Sequence, residues 1–131
     1  MEPADKQLID AARKGDASGV EAALADGADV NAVDRLRRTA LHWACAERHE
    51  LLVPILLRTR ADVNATDVNG FTSLHRACVN GHVAIVFQLL RAGARVDVTD
   101  ELRRTPRAIA EIYRYKKCVD QIDCHIGMLS V

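Results

Sequence analysis

Asp67-Val68-Asn69-Gly70-Phe71-Thr72-Ser73-Leu74-His75-Arg76-Ala77-Cys78 is the stretch that decides the fold. Thirty-three residues earlier, Asp34, Thr39, Leu41, His42, Ala44 and Cys45 fall on Asp67, Thr72, Leu74, His75, Ala77 and Cys78. Thirty-three residues later, Asp100, Thr105 and Ala110 come into register. A fixed period of this length is the mark of a solenoid, in which each unit buries its apolar face only against its neighbours.

Working outward, the copies are expected at about residues 1–33, 34–66, 67–99 and 100–123, with a short tail at 124–131, all in one domain. In the best copy Leu74, Ala77 and Cys78 face inward on a first helix. Asn80-Gly81-His82 turns the chain, and Val83, Val86, Leu89 and Leu90 form the apolar stripe of a second helix, with Ile85 beside it. Gly93 stops that helix, as Gly27 does in the first copy. In the copy at 34–66, Thr39 caps a helix over 40–46, and Pro54 is tolerated if the next helix starts near Glu50. Arg60 stands where Gly27 and Gly93 stand; if that place needs positive φ, Arg60 carries a small strain. In the last copy Arg107 replaces the inward leucine and Asp123 replaces Leu24, Leu57 and Leu90. A terminal unit has no outer neighbour, so polar residues there keep its outer face soluble. The tail is mildly apolar, and it is expected to fold back or fray.

At 49% hydrophobic and 27% charged residues the chain is well away from disordered composition. Aromatics are only 4%, so the core is aliphatic. The net charge is zero, which argues against a dedicated nucleic-acid binder. Residues 1–34 nonetheless carry a net of minus five and residues 35–131 a net of plus five. Fourteen of the eighteen bases are Arg, which contacts carboxylate or phosphate in a planar, bidentate way. No signal peptide and no membrane-length apolar run is visible. The four Cys lack metal-type spacing, and Cys45 and Cys78 sit one period apart. Reduced, buried thiols in a cytoplasmic or nuclear protein are expected.

Thr39-Ala40-Leu41-His42, Thr72-Ser73-Leu74-His75 and Thr105-Pro106 resemble the ankyrin repeat family. So do Gly81-His82, Leu89-Leu90, and Gly27-Ala28-Asp29-Val30-Asn31-Ala32 with its echo Ala61-Asp62-Val63-Asn64-Ala65. The resemblance covers about residues 4–123. It implies an all-α solenoid of helix-turn-helix units with short β-hairpin fingers, no shared catalytic activity, and partner binding through the fingers and the concave face. Arg37 and Arg103 depart from the family at the finger Gly, and Arg48 and Arg114 at the Gly between helices. Some asparagines at the place of Asn64 are hydroxylated in that family, which makes Asn64 a candidate for that modification.

The repeated Thr39, His42, Thr72, His75 and Thr105 are read as architecture, a hydrogen bond from Thr to imidazole and on to the adjoining loop. Cys118, Cys124 and His125 fit no metal pattern. No nucleophile with a base and no phosphate loop is present, so neither enzyme nor cofactor is expected.

The positions that do not repeat are the candidates for a partner. On the fingers these are Arg35, Leu36, Arg38, Val68, Asn69, Phe71, Leu102 and Arg104; on the concave side, Trp43, Arg76, Asn80, Ile109 and Tyr113. Trp, Tyr, Phe and Arg are the types enriched at binding hot spots. The expected function is a scaffold or adaptor, monomeric when free. Its partner is a protein with an acidic or phosphorylated segment and an apolar anchor, not a nucleic acid or a membrane. The alternative is a small inhibitory or regulatory subunit that occludes an enzyme. A piece of a longer array is a third reading, which the polar last copy opposes at the C-terminal end.

Overall fold

The computed structural model describes residues 1–129. Ser130 and Val131, the end of the expected tail, lie outside the described residues. Eight helices follow one another in four antiparallel pairs. They are α1 Pro3–Lys14 with α2 Ala17–Ala25, α3 Ala40–Ala46 with α4 Leu52–Arg58, α5 Ser73–Asn80 with α6 Val83–Arg91, and α7 Pro106–Ile112 with α8 Lys116–Leu129.

Several of these helices have only seven residues, too few to persist alone in water. Capping and packing hold them. The Thr39 and Thr72 hydroxyls accept the backbone N–H of His42 and His75, and Thr105 accepts that of Ala108. Pro54 is the third residue of α4, where its missing N–H has no helical partner to lose. That helix starts two residues later than the expected Glu50.

The first helices α1, α3, α5 and α7 pack on one another in an inner row. Small residues let them approach: Ala11, Ala44, Ala77 and Ala110 share one register position, and Ala12, Cys45 and Cys78 another, all buried. Above them Leu8, Leu41 and Leu74 fill the seam. In the outer row, Val20, Val53 and Val86 share a position, and Ala23, Leu56, Leu89 and Ile122 another. Each large aliphatic side chain so buried contributes about 1.5–3 kcal/mol. In α6 the stripe is shifted from expectation: Ile85 is fully buried and Val83 only half-buried.

Three departures from the sequence reading stand out. No strand forms among the described residues, so each finger is seen as a tight turn and the expected β-hairpin pairing is not confirmed. The tail does not fray as a separate element, since residues 124–129 continue α8. Arg107 and Asp123, read separately as decay, face each other: Arg107 Nε and Nη2 donate to the two Asp123 carboxylate oxygens at 2.6 and 3.0 Å. Arg107 also pairs with Glu111. The outer face of the last pair is thus closed by an ion-pair network where inner copies have leucines.

The left-handed positions keep their geometry whether or not glycine fills them. Arg37, Arg48, Arg60, Arg103 and Arg114 all have φ between 60° and 67°. At Arg60 the C-terminal cap of α4 is complete, with Ala61 N–H donating to Leu56 and Arg60 N–H to Leu57. Each non-glycine residue held this way costs roughly 1–2 kcal/mol. Gly81 cannot be replaced so freely, because a Cβ there would come within 2.5 Å of the Tyr115 ring.

Candidate partner-binding face

Asp34, Asp67 and Asp100 build the three fingers, at residues 34–38, 67–71 and 100–104. In each, the Asp carbonyl accepts the N–H three residues on, and the Asp N–H donates to the carbonyl four residues on, all at 2.9–3.1 Å. One carboxylate oxygen accepts the N–H groups two and four residues ahead: Leu36 and Arg38, Asn69 and Phe71, Leu102 and Arg104, at 2.9–3.0 Å. A short acidic side chain suits this task because it can reach its own turn.

The second carboxylate oxygen is served differently in each finger. Trp43 Nε1 donates to Asp34 at 2.9 Å, Arg76 Nη2 to Asp67 at 2.8 Å, and Arg104 Nε to Asp100 at 2.8 Å. Trp43 and Arg76 occupy one register position, so an indole and a guanidinium do the same work. Asp100 takes its donor from within its own finger, which leaves Ile109, at that same position, no polar role. Ile109 is accordingly fully buried in the core and not on the concave surface as expected.

Burial alone would raise the Asp67 carboxyl. The Arg76 hydrogen bond and the Phe71 and Asn69 N–H groups outweigh that and hold it below the usual carboxylate range. Asp100 is lowered in the same way, against burial, by the Arg104 backbone and guanidinium and by Leu102 N–H.

Aromatic rings and guanidinium groups alternate along this face. Arg13 and Arg38 lie 5.7 and 5.0 Å from the Trp43 ring centre, and Arg76 and Arg104 lie 4.4 and 5.9 Å from that of Phe71. Phe71 also stacks on His75 at 5.5 Å. Four predicted residues, Arg38, Trp43, Phe71 and Arg76, are therefore half-buried here and engaged with the fold. Arg104 shares that fate.

His42 and His75 join consecutive copies. The Thr39 N–H donates to His42 Nδ1 at 3.1 Å, and His42 Nε2 lies 2.8 Å from the Phe71 carbonyl. His75 repeats this with Thr72 N–H at 3.0 Å and the Arg104 carbonyl at 3.0 Å. A carbonyl only accepts, so Nε2 carries the proton and each imidazole is neutral. Burial pushes both imidazoles below the ordinary histidine value. At the equivalent place in the last copy stands Ala108, which has no imidazole to make such a bond.

Fingertips reach solvent. Leu36, Val68 and Leu102 are 45%, 47% and 67% exposed. They are aligned by single bonds between fingers, Val68 N–H to the Leu36 carbonyl and Glu101 N–H to the Asn69 carbonyl, both 3.0 Å. Arg35, Arg37 and Arg103 flank them, and their guanidinium groups have no ion-pair partner among the described residues. Sequence reading missed Arg37 and Arg103 as contact candidates, having treated them only as departures at a glycine position.

Asn80 and Tyr113 lie apart, at the far ends of α5 and α7. The Asn80 amide donates to the Cys45 and Ala46 carbonyls at 3.1 and 2.7 Å, which ties α5 to α3. Tyr113 stacks on Tyr115 at the last copy. Asn64 stitches two loops together: its Oδ1 accepts Arg95 N–H at 2.8 Å, as Asn31 Oδ1 accepts Asp62 N–H at 2.7 Å.

Among the described residues no group of acidic, His and Cys side chains could hold a metal ion. No helix among them is long and apolar enough to cross a membrane. A profile of ankyrin repeats in three copies matches residues 8–100, so the α7–α8 pair lies beyond the match. A curated relative, acyl-CoA-binding domain-containing protein 6 of Xenopus tropicalis, is 46% identical over 54 residues, 40% of this chain and 19% of the relative. The chain thus matches less than a fifth of that relative's length.

Proposed function

The chain belongs to the ankyrin repeat family, and we propose that it is a scaffold or adaptor that takes a partner protein on its fingertips. Ankyrin repeats in general mediate protein–protein interaction and are typically not catalysts. The observation that carries the proposal is the exposed row Leu36, Val68 and Leu102, flanked by the unpaired Arg35, Arg37 and Arg103. Exposed apolar residues ringed by charge are what a docking surface offers. The partner is an acidic or phosphorylated segment with an apolar anchor: the anchor meets the Leu and Val tips, and its anionic groups meet the free guanidiniums.

The deeper Arg38, Arg76 and Arg104 act differently in this reading. They are already held by Asp67 and Asp100, so they hold the fingers in place. The protein acts as a monomer. Its buried free thiols Cys45, Cys78 and Cys118 suit the reducing cytoplasm or nucleus.

The test is affinity capture from cell lysate followed by hydrogen-exchange mapping of the recovered complex. Protection at residues 35–37, 68–69 and 101–103 is the expected result. Protection confined to other surfaces would refute the proposal.

A further inference from the structure

The outer row of second helices is packed less closely than the inner row, and α4 meets α6 only along a short stretch. Between them lies an open apolar cavity of about 360 Å³ floored by Pro54, Leu57 and Phe87, with Arg58 and Arg91 on its rim. A second cavity of about 290 Å³ lies on the other side of Phe87, toward Gln121 and His125 of α8. Phe87 and Arg91 belong to both, so the ring and its cation form the divide of one groove crossing three helices.

Phe87 is 43% exposed, although α6 already buries Ile85, Val86, Leu89 and Leu90. The fold therefore does not need a phenyl ring at this place. Arg91 lies 5.6 Å from the ring centre, which holds the cation at the divide. Neither Arg58 nor Arg91 has a carboxylate partner among the described residues, and no carboxylate lines either cavity. Helices α4 and α6 carry these two cations and no acid.

We propose that this groove on the outer helices is a second docking site, and that its occupant is an extended acidic segment of a partner protein. The charge decides the occupant: two unopposed cations over an apolar floor complement carboxylates between apolar side chains. Adjacent helix axes stand about 8–10 Å apart, so two cavities either side of α6 are one such step apart. A chain in the polyproline II conformation advances about 3.1 Å per residue with three residues per turn, so apolar side chains three residues apart lie on one face at about that spacing. The carboxylates between them face Arg91, and an acid before the first faces Arg58. This site is separate from the fingertips and stands whether or not they bind.

The probe is a fluorescein-labelled peptide, Glu-Leu-Asp-Asp-Leu-Glu, titrated into the full chain and followed by anisotropy. Controls are Lys-Leu-Lys-Lys-Leu-Lys and Glu-Leu-Leu-Asp-Asp-Glu. The expected result is a weak but saturable Kd below about 1 mM for the probe, with both controls at least about tenfold weaker. Arg91→Glu and Phe87→Ala each weaken the probe at least about tenfold, while Leu102→Ser leaves it unchanged. Arg91→Glu changes only a solvent-facing side chain, so it tests the site even if Phe87→Ala fails to fold. The proposal is overturned by no saturable binding, by equal binding of the lysine control, or by loss in Leu102→Ser instead of Arg91→Glu. It is also overturned if the cavities are occupied by a second copy, seen as concentration-dependent dimers that Phe87→Ala abolishes.

Discussion

The interior copies, residues 34–99, and the closing copy, residues 100–129, are built on the same frame but treat the same positions oppositely. Leu41 and Leu74 are buried against a neighbour, whereas Arg107 in that register binds Asp123 and Glu111 at the surface. His42 and His75 reach forward to the next finger, whereas Ala108 in that register has no side chain that could. Trp43 and Arg76 serve an aspartate, whereas Ile109 turns into the core. The residue at a register position thus tracks what it meets among the described residues, a packed neighbour or an ion-pair partner. Stability should then be concentrated at the seams between interior copies.

The strongest way to break that contrast is at Leu74. Leu74→Ala removes a fully buried side chain between α3 and α7 and is expected to cost about 3–5 kcal/mol in urea unfolding. Arg107→Ala in the same register should leave the midpoint where it is. An equal loss from both would show that the closing copy is no different.

Next is the histidine seam. His75→Ala orphans the Thr72 N–H and the Arg104 carbonyl and should cost about 1–3 kcal/mol. Ala108→His, which supplies the motif residue without a following finger, should gain nothing measurable.

The pH dependence sharpens the same point. His42 and His75 titrate below their ordinary value when folded, so the unfolded chain binds protons more tightly. Stability should be full above about pH 6.5 and fall as the pH drops from there toward the lowered folded values. A second fall should follow below about pH 4, as Asp67 and Asp100, lowered in the folded state, take up protons. Urea midpoints at about pH 7.5 and about pH 5 check the first step, which His42→Gln with His75→Gln should flatten.

The smallest effect is expected at Arg60. Replacing it by Gly relieves a left-handed strain of roughly 1–2 kcal/mol but gives back about 0.4–1 kcal/mol through a freer unfolded chain. Arg60→Gly should raise stability by no more than about 1.6 kcal/mol in the same assay.

What recurs at a fixed spacing is legible in the sequence itself. Thr39, Leu41, His42 and Ala44 repeat as Thr72, Leu74, His75 and Ala77, and helix caps, inner row and core follow from them. What depends on which side chain meets which is not. Asp34, Asp67 and Asp100 are visibly periodic, but their donors come nine, nine and four residues later from Trp, Arg and Arg. No period exposes that, so Trp43 and Arg76 read as free when they are engaged. Arg107 and Asp123 are sixteen residues apart and read as two unrelated losses. The Phe87 groove depends on how far α4 stands from α6, which no linear pattern encodes.

In the proposed function the fingertips, not the half-buried rings behind them, hold the partner. The direct test is the affinity of the captured partner for wild type and for Leu36→Ser with Leu102→Ser, with folding checked by thermal melting. At least about a tenfold loss of affinity with an unchanged melt is the predicted result. Unchanged affinity in a folded double variant would show that the partner is held elsewhere.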